Sequence, residues 1–161
     1  MKTILVVSDT HGSKAGLEKL YPLIAENDYI IHLGDGANDM RDIRSLYPDK
    51  VYACAGNCDY SSVLPDDGIL EVEGVRIFFC HGHKYDVRAG LDVLAYAARE
   101  RDCDVALFGH THNAVISEIG GVTLVNPGSL QTHVWDGNTS YAYLVVNNKK
   151  VTATLVGNKY F

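Results

Sequence analysis

Short apolar runs rich in β-branched residues alternate with helix-period patterns through most of this chain, and that alternation marks β-α-β units around a largely parallel sheet. Strands are expected near Thr3 to Val7, Tyr29 to Leu33, Val51 to Ala55, Val75 to Cys80 and Val105 to Phe108. Leu17, Leu20, Tyr21 and Ile24 recur at i, i+3, i+4 and i+7, which predicts one amphipathic helix over Lys14 to Glu26 with Ser13 as its N-cap. Val87, Leu91, Leu94, Ala95 and Ala98 form a second stripe, and Ala37 to Tyr47 carries a weaker helical pattern.

The second half changes character. Tight turns at Glu73-Gly74, Gly120-Gly121 and Asn147-Asn148 suit hairpins with positive φ, so antiparallel strands are expected at Val115 to Ile119, Val122 to Val125, Tyr141 to Val146 and Val151 to Val156. A mixed sheet, or two sheets packed face to face with helices outside, accommodates both halves. A length of 161 residues predicts one domain over 1–161, and 47% hydrophobic content excludes disorder. Cys54, Cys58, Cys80 and Cys103 show no Cys-x-x-Cys pair and at least three lie in or beside apolar runs, as buried free thiols of a reducing compartment do. The first apolar run, Ile4 to Val7, is too short for a secretory leader, and no stretch is long and apolar enough to span a bilayer. A soluble, cytoplasmic protein without membrane contact is the expectation.

Polar residues placed against the strands make a constellation. Asp9-Thr10-His11, Gly34-Asp35, Gly56-Asn57-Cys58-Asp59, His81-Gly82-His83 and Gly109-His110-Thr111-His112 each follow the carboxyl end of an expected strand. Ligand sites in open α/β sheets gather at that edge, so the five segments can converge. A lone Asp-x-His or His-x-His is common by chance; five in register are not. Imidazole, carboxylate and amide oxygen without thiolate suit manganese, iron, cobalt, nickel or zinc better than calcium. The balance of 14 basic against 20 acidic residues, a net −6, argues against a protein that grips long nucleic acid or anionic membrane.

With these segments the chain resembles the calcineurin-like metallophosphoesterase superfamily, whose ordered motifs are Asp-x-His, Gly-Asp, Gly-Asn-His-Asp/Glu, His and Gly-His-x-His. The likeness runs from Ser8 to Gly128, and the short prokaryotic phosphodiesterase branch, similar in fold to the retromer subunit vacuolar protein sorting 29, is the nearest in size and wording. The resemblance implies an α/β fold: a four-layer α/β/β/α sandwich of two mixed β-sheets flanked by helices, with a dinuclear metal site at the sheet ends. It assigns Asp9, His11 and His112 to one ion, Asn57, His81 and His110 to the other, and Asp35 to both. The cofactors are then two divalent ions, manganese first, with nickel, cobalt, iron or zinc as alternatives. Four positive charges against the two of Asp9 and Asp35 leave a surplus that attracts phosphate and acidifies water. Two such ions roughly 3.5–4 Å apart hold nucleophile and phosphoryl oxygens for in-line attack. The implied reaction is hydrolysis of a small phosphate ester, a diester first, by a hydroxide bound to both metals.

The chain departs from the family at Cys58, where a histidine is usual. A thiol with a pKa near 8.5 is a poorer acid than imidazolium, and positioned acid–base help is typically worth roughly 10²–10⁴ in rate, so activated or diester substrates are expected. Asp35, Asn57, His81, Cys58 and Asp59 are the candidate catalytic residues, Asp59 as a group that orients another, and His83 and Asn57 the candidates for substrate contact. His32, inside an expected strand, reads as a hydrogen-bonded core residue, His133 is uninformative, and Asn126-Pro127-Gly128-Ser129 is expected to border the pocket. Specificity should lie in Pro65 to Gly68, Lys84 to Ala89 and Leu130 to Thr139, while Tyr60, Tyr85 and Trp135 suit packing or a homo-oligomer contact better than stacking on a base. The alternative function is a protein-interaction scaffold of the vacuolar protein sorting 29 type with weak or no catalysis. That reading calls for degraded ligands, and all seven matching positions hold competent ones. A metallo-β-lactamase-type site would need His-x-His-x-Asp-His, which does not occur.

Overall fold

The computed structural model describes residues 1–60, 62–131 and 138–157; His133 and Trp135, and most of the expected specificity loop at 130–139, lie outside them. The most apolar run becomes the middle of a sheet. Strand β1 (Lys2–Val7) lies between β2 (Tyr29–His32), parallel to it, and β9 (Ser140–Asn147), antiparallel to it, with β3 (Val51–Ala53) and β10 (Lys150–Gly157) outermost. Covered on both faces, β1 has no place for a polar side chain over Ile4, Leu5, Val6 and Val7, all buried. A second sheet orders β4 (Asp67–Val72), β5 (Val75–Cys80), β6 (Val105–Leu107), β8 (Val122–Asn126) and β7 (Val115–Ile119), the middle three parallel.

Side-chain alternation divides these strands between layers. Ile4, Val6 and Ile31 of the first sheet meet Ile77, Phe79, Val105 and Leu107 of the second in one buried cluster, where truncating a residue such as Ile77 to alanine costs roughly 2–5 kcal/mol. Leu5, Val7 and Ile30 face outward under α1 (Lys14–Glu18), α2 (Tyr21–Glu26) and α3 (Arg41–Leu46), through Leu17, Ile24 and Ile43. Phe78, Cys80 and Ala106 lie under Leu94, Ala95 and Ala98 of α4 (Asp92–Glu100). The result is the expected α/β/β/α arrangement of two mixed five-stranded sheets. Cys54, Cys80 and Cys103 are buried free thiols, and Cys58 is exposed.

Several boundaries differ from the periodicity. The helix expected over Lys14 to Glu26 is two, because Pro22 lacks the N–H and crowds the carbonyl four residues back, so α2 restarts with the proline in its first turn. Tyr21 consequently turns outward, 47% exposed, while Leu17, Leu20 and Ile24 stay buried. Ser13 takes the N-cap position of α1 without a side-chain capping bond. The stripe from Val87 to Ala98 is carried by α4 only from Asp92, and Val87 reaches the same cluster from the preceding loop. The weaker pattern over Ala37 to Tyr47 is a 3₁₀ turn, Ala37–Met40, running into α3. The last hairpin turns at Asn148-Lys149 rather than Asn147-Asn148, since pairing Asn147 with Lys150 keeps Ala142, Leu144 and Val146 on the buried face. Gly68, expected in a loop, is in β4. No described helix is long and apolar enough to cross a membrane.

Candidate metal centre

Parallel register aligns the strand ends. Val7 pairs with His32 and His32 with Ala53 in one sheet; Phe79 pairs with Leu107 and Leu107 with Val125 in the other. The five polar segments therefore leave both sheets at a common edge. They turn there by unusual backbone: Asp9, His11, Asp35, His110 and His112 all have φ between +45° and +70°, half of the ten non-glycine residues with positive φ among those described. Such conformations cost on the order of 1–3 kcal/mol each and persist where surroundings enforce them. The enforcing bonds run between segments: Asp9 N–H to the Gly34 carbonyl at 3.0 Å, His11 N–H to that of Asp35 at 2.9 Å, and Gly109 N–H to that of His81 at 2.8 Å. Two glycines make room, for a Cβ on Gly56 would lie 2.1 Å from Asp35 Oδ1 and one on Gly109 would lie 2.6 Å from Asp9 Oδ2.

Asp9 is wholly buried. Its Oδ2 accepts bonds from Ser8 Oγ at 2.6 Å and His110 N–H at 3.0 Å. Its Oδ1 is buried yet accepts no aligned hydrogen bond, although Nε2 of His112, His11 and His81 stand 3.1, 3.5 and 3.9 Å away. Burial acts to raise the Asp9 carboxyl, but the His11 and His112 rings, the field of His81 and the Ser8 hydroxyl outweigh it and hold the group well below the usual carboxylate range. Asp35 is nearly as buried. Its Oδ1 accepts Cys58 N–H at 2.8 Å, and its Oδ2 lies 3.2 Å from His81 Nε2 and 3.7 Å from His11 Nε2. Burial again opposes ionisation; His81 and the Cys58 amide prevail and the carboxyl sits low.

Imidazole nitrogens converge on these carboxylates. His11 and His112 face each other Nε2 to Nε2 at 3.3 Å, and His110 Nδ1 is 3.2 Å from His81 Nε2 and 3.1 Å from Asn57 Oδ1. His81 Nδ1 lies 2.8 Å from the Leu33 carbonyl; an oxygen of that kind only accepts, so Nδ1 carries the proton and Nε2 offers its lone pair when the ring is neutral. The facing Asp9 carboxylate raises His11 against the effect of burial, and for His81 the contacts with Asp35 and Asp9 overcome burial to raise it as well. The carboxylates thus favour positive charge at His11 and His81. Ligand atoms of Asp9, His11 and His112 lie within 4.8 Å of one another, as do those of Asp35, His81 and His110. An orphaned buried carboxylate oxygen amid nitrogen lone pairs fits a divalent cation, and a nitrogen and oxygen donor set suits a borderline ion.

A third group within the same span joins His11, Asp35 and Cys58. This places a thiol beside donors that the sequence reading took to be free of sulfur. Partial desolvation and the Asp35 carboxylate push the Cys58 thiol above its ordinary range, which keeps it protonated at neutral pH. The Asp59 carboxylate faces backbone rather than the centre of the site: Oδ2 accepts from Asp35 and Gly56 N–H at 2.8 Å each, and Oδ1 from Gly36 at 3.0 Å and Ala37 at 3.2 Å. The His83 ring lies tilted against those of His81 and His110, centroids 5.4 and 6.1 Å away, with a buried Nδ1 that has no hydrogen-bond partner; burial, then His81 and Lys84, hold it low and neutral.

In the sequence His32 reads as a hydrogen-bonded residue and Thr10 only as part of a motif, and nothing there points to Asp39. His32, wholly buried, accepts Gly34 N–H on Nδ1 at 3.0 Å, so its proton is on Nε2 and points to Thr10 Oγ1, also 3.0 Å away. Burial pushes this ring down to about 4, which keeps it neutral. The Thr10 hydroxyl in turn donates to Asp39 Oδ2 at 2.6 Å, and Gly12 N–H donates to the same oxygen at 2.9 Å. A relay of three side chains thereby ties the Asp9-to-His11 turn to the segment after Asp35. The only sequence signal for that tie was Thr10's place between two ligand candidates. The Asn126-to-Ser129 segment braces the site from the other sheet: Ser129 Oγ donates to the Asp9 carbonyl at 2.7 Å and Asn126 Nδ2 to that of Gly109 at 3.1 Å.

Comparison with known proteins agrees with this geometry. Residues 1–149 match the family model described as the calcineurin-like phosphoesterase superfamily domain. The probable metallophosphoesterase YsnB of Bacillus subtilis is 33% identical over 150 residues, covering 92% of this chain and 87% of its own. The phosphodiesterase YfcE of Escherichia coli is 28% identical over 171 residues, covering 89% and 88%. A solved structure of a predicted phosphoesterase from Streptococcus pneumoniae matches with a TM-score of 0.78 at 25% identity over 96% of this chain and 88% of that one. Vacuolar protein sorting 29 from Cryptosporidium parvum gives 0.77 at 17% identity over 97% of each, a likeness of fold alone. The chain belongs to the calcineurin-like phosphoesterase superfamily.

Proposed function

We propose that the chain is a phosphodiesterase that hydrolyses a small phosphate ester with two divalent ions, manganese first. The carrying observation is the unsatisfied, fully buried Oδ1 of Asp9 facing three imidazole nitrogens, beside a second carboxylate with its own imidazole partners. Asp9, His11 and His112 would hold one ion, Asn57, His81 and His110 the other, and Asp35 both. When bound, such ions supply Lewis acidity, acidifying water and neutralising charge on phosphoryl oxygens. The rest belongs to the chain's own groups. Asp59 ties the Asp35 and Gly56 backbones together through its two bonds at 2.8 Å, the Asn57 carboxamide and the neutral His83 ring would contact the phosphate, and Cys58 would be the proton donor to the leaving alcohol. A thiol held protonated is a weak acid at neutral pH, so good leaving groups are favoured. The net charge of −6 supports a small ester over a long polyanion.

The test is to strip metals and add back manganese, nickel, cobalt, zinc or magnesium one at a time, assaying nitrophenyl mono- and diesters beside cyclic nucleotides. Diester hydrolysis with at least one ion and none in the stripped protein is expected. No turnover with any ion would move the reading to a non-catalytic scaffold.

A further inference from the structure

A cavity of about 450 Å³ opens beside the His110-to-His112 segment, within the range of small-molecule sites. Its apolar wall is Val87, Leu91, Phe108 and Val115; its polar residues are Thr111, Asn113 and Arg88. Thr111 lies in the chain between His110 and His112, so the segment that lines one side of the cavity also presents two of the imidazoles described above. That side is rigid: Thr111 Oγ1 accepts from Asn126 Nδ2 at 2.9 Å and from Asn113 N–H at 3.2 Å.

The two cations of the loop that follows His83 are used differently. Lys84 is committed to an ion pair with Asp66, whereas Arg88 makes no hydrogen bond or ion pair with any described residue, though its charge reaches the His110 ring. A guanidinium lining a largely apolar cavity recognises a planar apolar body bearing an anion.

We propose that this cavity receives one esterifying group of the diester and that Arg88 selects a group carrying a carboxylate or second phosphate on an aromatic or apolar body. The inference rests on the phosphodiesterase reading for the word substrate, while the cavity's preference for an anionic aryl group is a separate property. Neither Arg88 nor the apolar wall touches the reacting atoms; they set which ester is held.

Two esters that release the same leaving group test it: 4-nitrophenyl phenyl phosphate and 4-nitrophenyl 3-carboxyphenyl phosphate. In both, water adds to phosphorus, the P–O bond to 4-nitrophenol breaks, and 4-nitrophenolate and a proton leave. The manganese-loaded protein should favour the carboxylated ester roughly tenfold in kcat/KM, through KM, as a charge-assisted contact provides. Arg88→Gln should bring the ratio to about one, and Val115→Trp, which narrows the cavity at a partly exposed position, should raise KM for both aryl esters relative to methyl 4-nitrophenyl phosphate. Saturation-transfer NMR on the metal-free protein supplies the arm without turnover: benzoate should bind more strongly than benzamide, and Arg88→Gln should abolish the difference. Equal kcat/KM for the two esters, unmoved by Arg88→Gln, with benzoate and benzamide alike, would overturn the inference and leave the phosphodiesterase reading intact. Failure of every ester with every metal overturns that reading instead, and the benzoate arm then decides the cavity alone.

Discussion

The two sheets contribute unlike chemistry to one seam. The first sheet supplies both buried carboxylates, Asp9 and Asp35, with Asn57 and one imidazole, His11; the second supplies His81, His110 and His112 and no acid. Burial opposes charge in each half: it acts to raise both carboxylates, with the field of Asp9 adding to this at Asp35, and it acts to lower the rings, prevailing at His110. Packed together, the acids raise His11 and His81, and the rings lower the acids. The carboxylates therefore favour positive charge at His11 and His81, so the acids should set how tightly metal is held and these two rings how that hold depends on pH.

The largest effect should come from the acid half. Asp35→Asn keeps size and most hydrogen bonding but removes the charge proposed to serve both ions, and diester turnover should fall about 10³-fold or more while manganese affinity drops and the far-ultraviolet dichroism is unchanged. Near-wild-type turnover of the metal-replete variant would sink the assignment of Asp35 to both ions.

The turn that presents Asp9 and His11 is next. Thr10→Val severs the relay between His32 and Asp39 without touching a ligand atom, and manganese affinity measured by calorimetry should weaken about 10–100-fold, the usual effect of losing a ligand's supporting bond. Thr10→Ser should restore it; equal affinity in the valine variant would show the relay to be a core contact only.

Cys58→His adds to the seam a ring that the family usually has there. Hydrolysis of diesters with poor leaving groups, such as phenol, should rise about tenfold, a fraction of what positioned acids typically provide, with little change for nitrophenol. A series of leaving groups with identical slopes in both proteins would exclude proton donation at this position.

The smallest effect isolates the two raised imidazoles, one from each sheet. His11 and His81 carry raised values in the folded protein, so the stability they provide is fully present below their ordinary value near 6.5 and is lost as pH rises through the raised ones. Asp9 and Asp35 act oppositely: their contribution is present above the ordinary carboxylate value and is lost as pH falls through the lowered ones. His32, His83 and His110, held low, act in the opposite sense over the same interval, so the part due to a raised ring is read by difference: the melting advantage of the metal-free protein over His11→Gln should be larger at pH 6 than at pH 8, and manganese, which must displace any ring protons, should bind more tightly as pH rises. Thermal melts of both proteins from pH 5.5 to 8.5 with and without manganese read both; parallel curves for the two proteins would show that the His11 value is not raised.

Much of this was legible before any coordinates. The five strands end where apolar runs meet Asp9, Asp35, Asn57, His81 and His110, because an extended chain buried on both faces tolerates no polar side chain until it leaves the sheet. Pro22 was legible too, but a stripe at helical spacing masked it: Leu17, Leu20 and Ile24 stay on one buried face although the helix between them breaks. What could not be read was contact across distance in the chain. Asp39 meets Thr10 from 29 residues away and Asp59 meets Asp35 from 24, and neither spacing has a periodicity to reveal it. The sharing of Cys58 with His11 and Asp35 was hidden for the same reason.

Local rules thus determined the layers, the strand ends and the list of metal-binding side chains, since each follows from burial and backbone geometry within a few residues. The tertiary structure alone decided which oxygen of Asp9 is left without a hydrogen bond, which nitrogen of His81 faces the carboxylates, and that Arg88 borders a cavity beside the His110-to-His112 segment. Those depend on how two sheets pack against each other to within an ångström, and electrostatic and hydrogen-bond energies change over that same length.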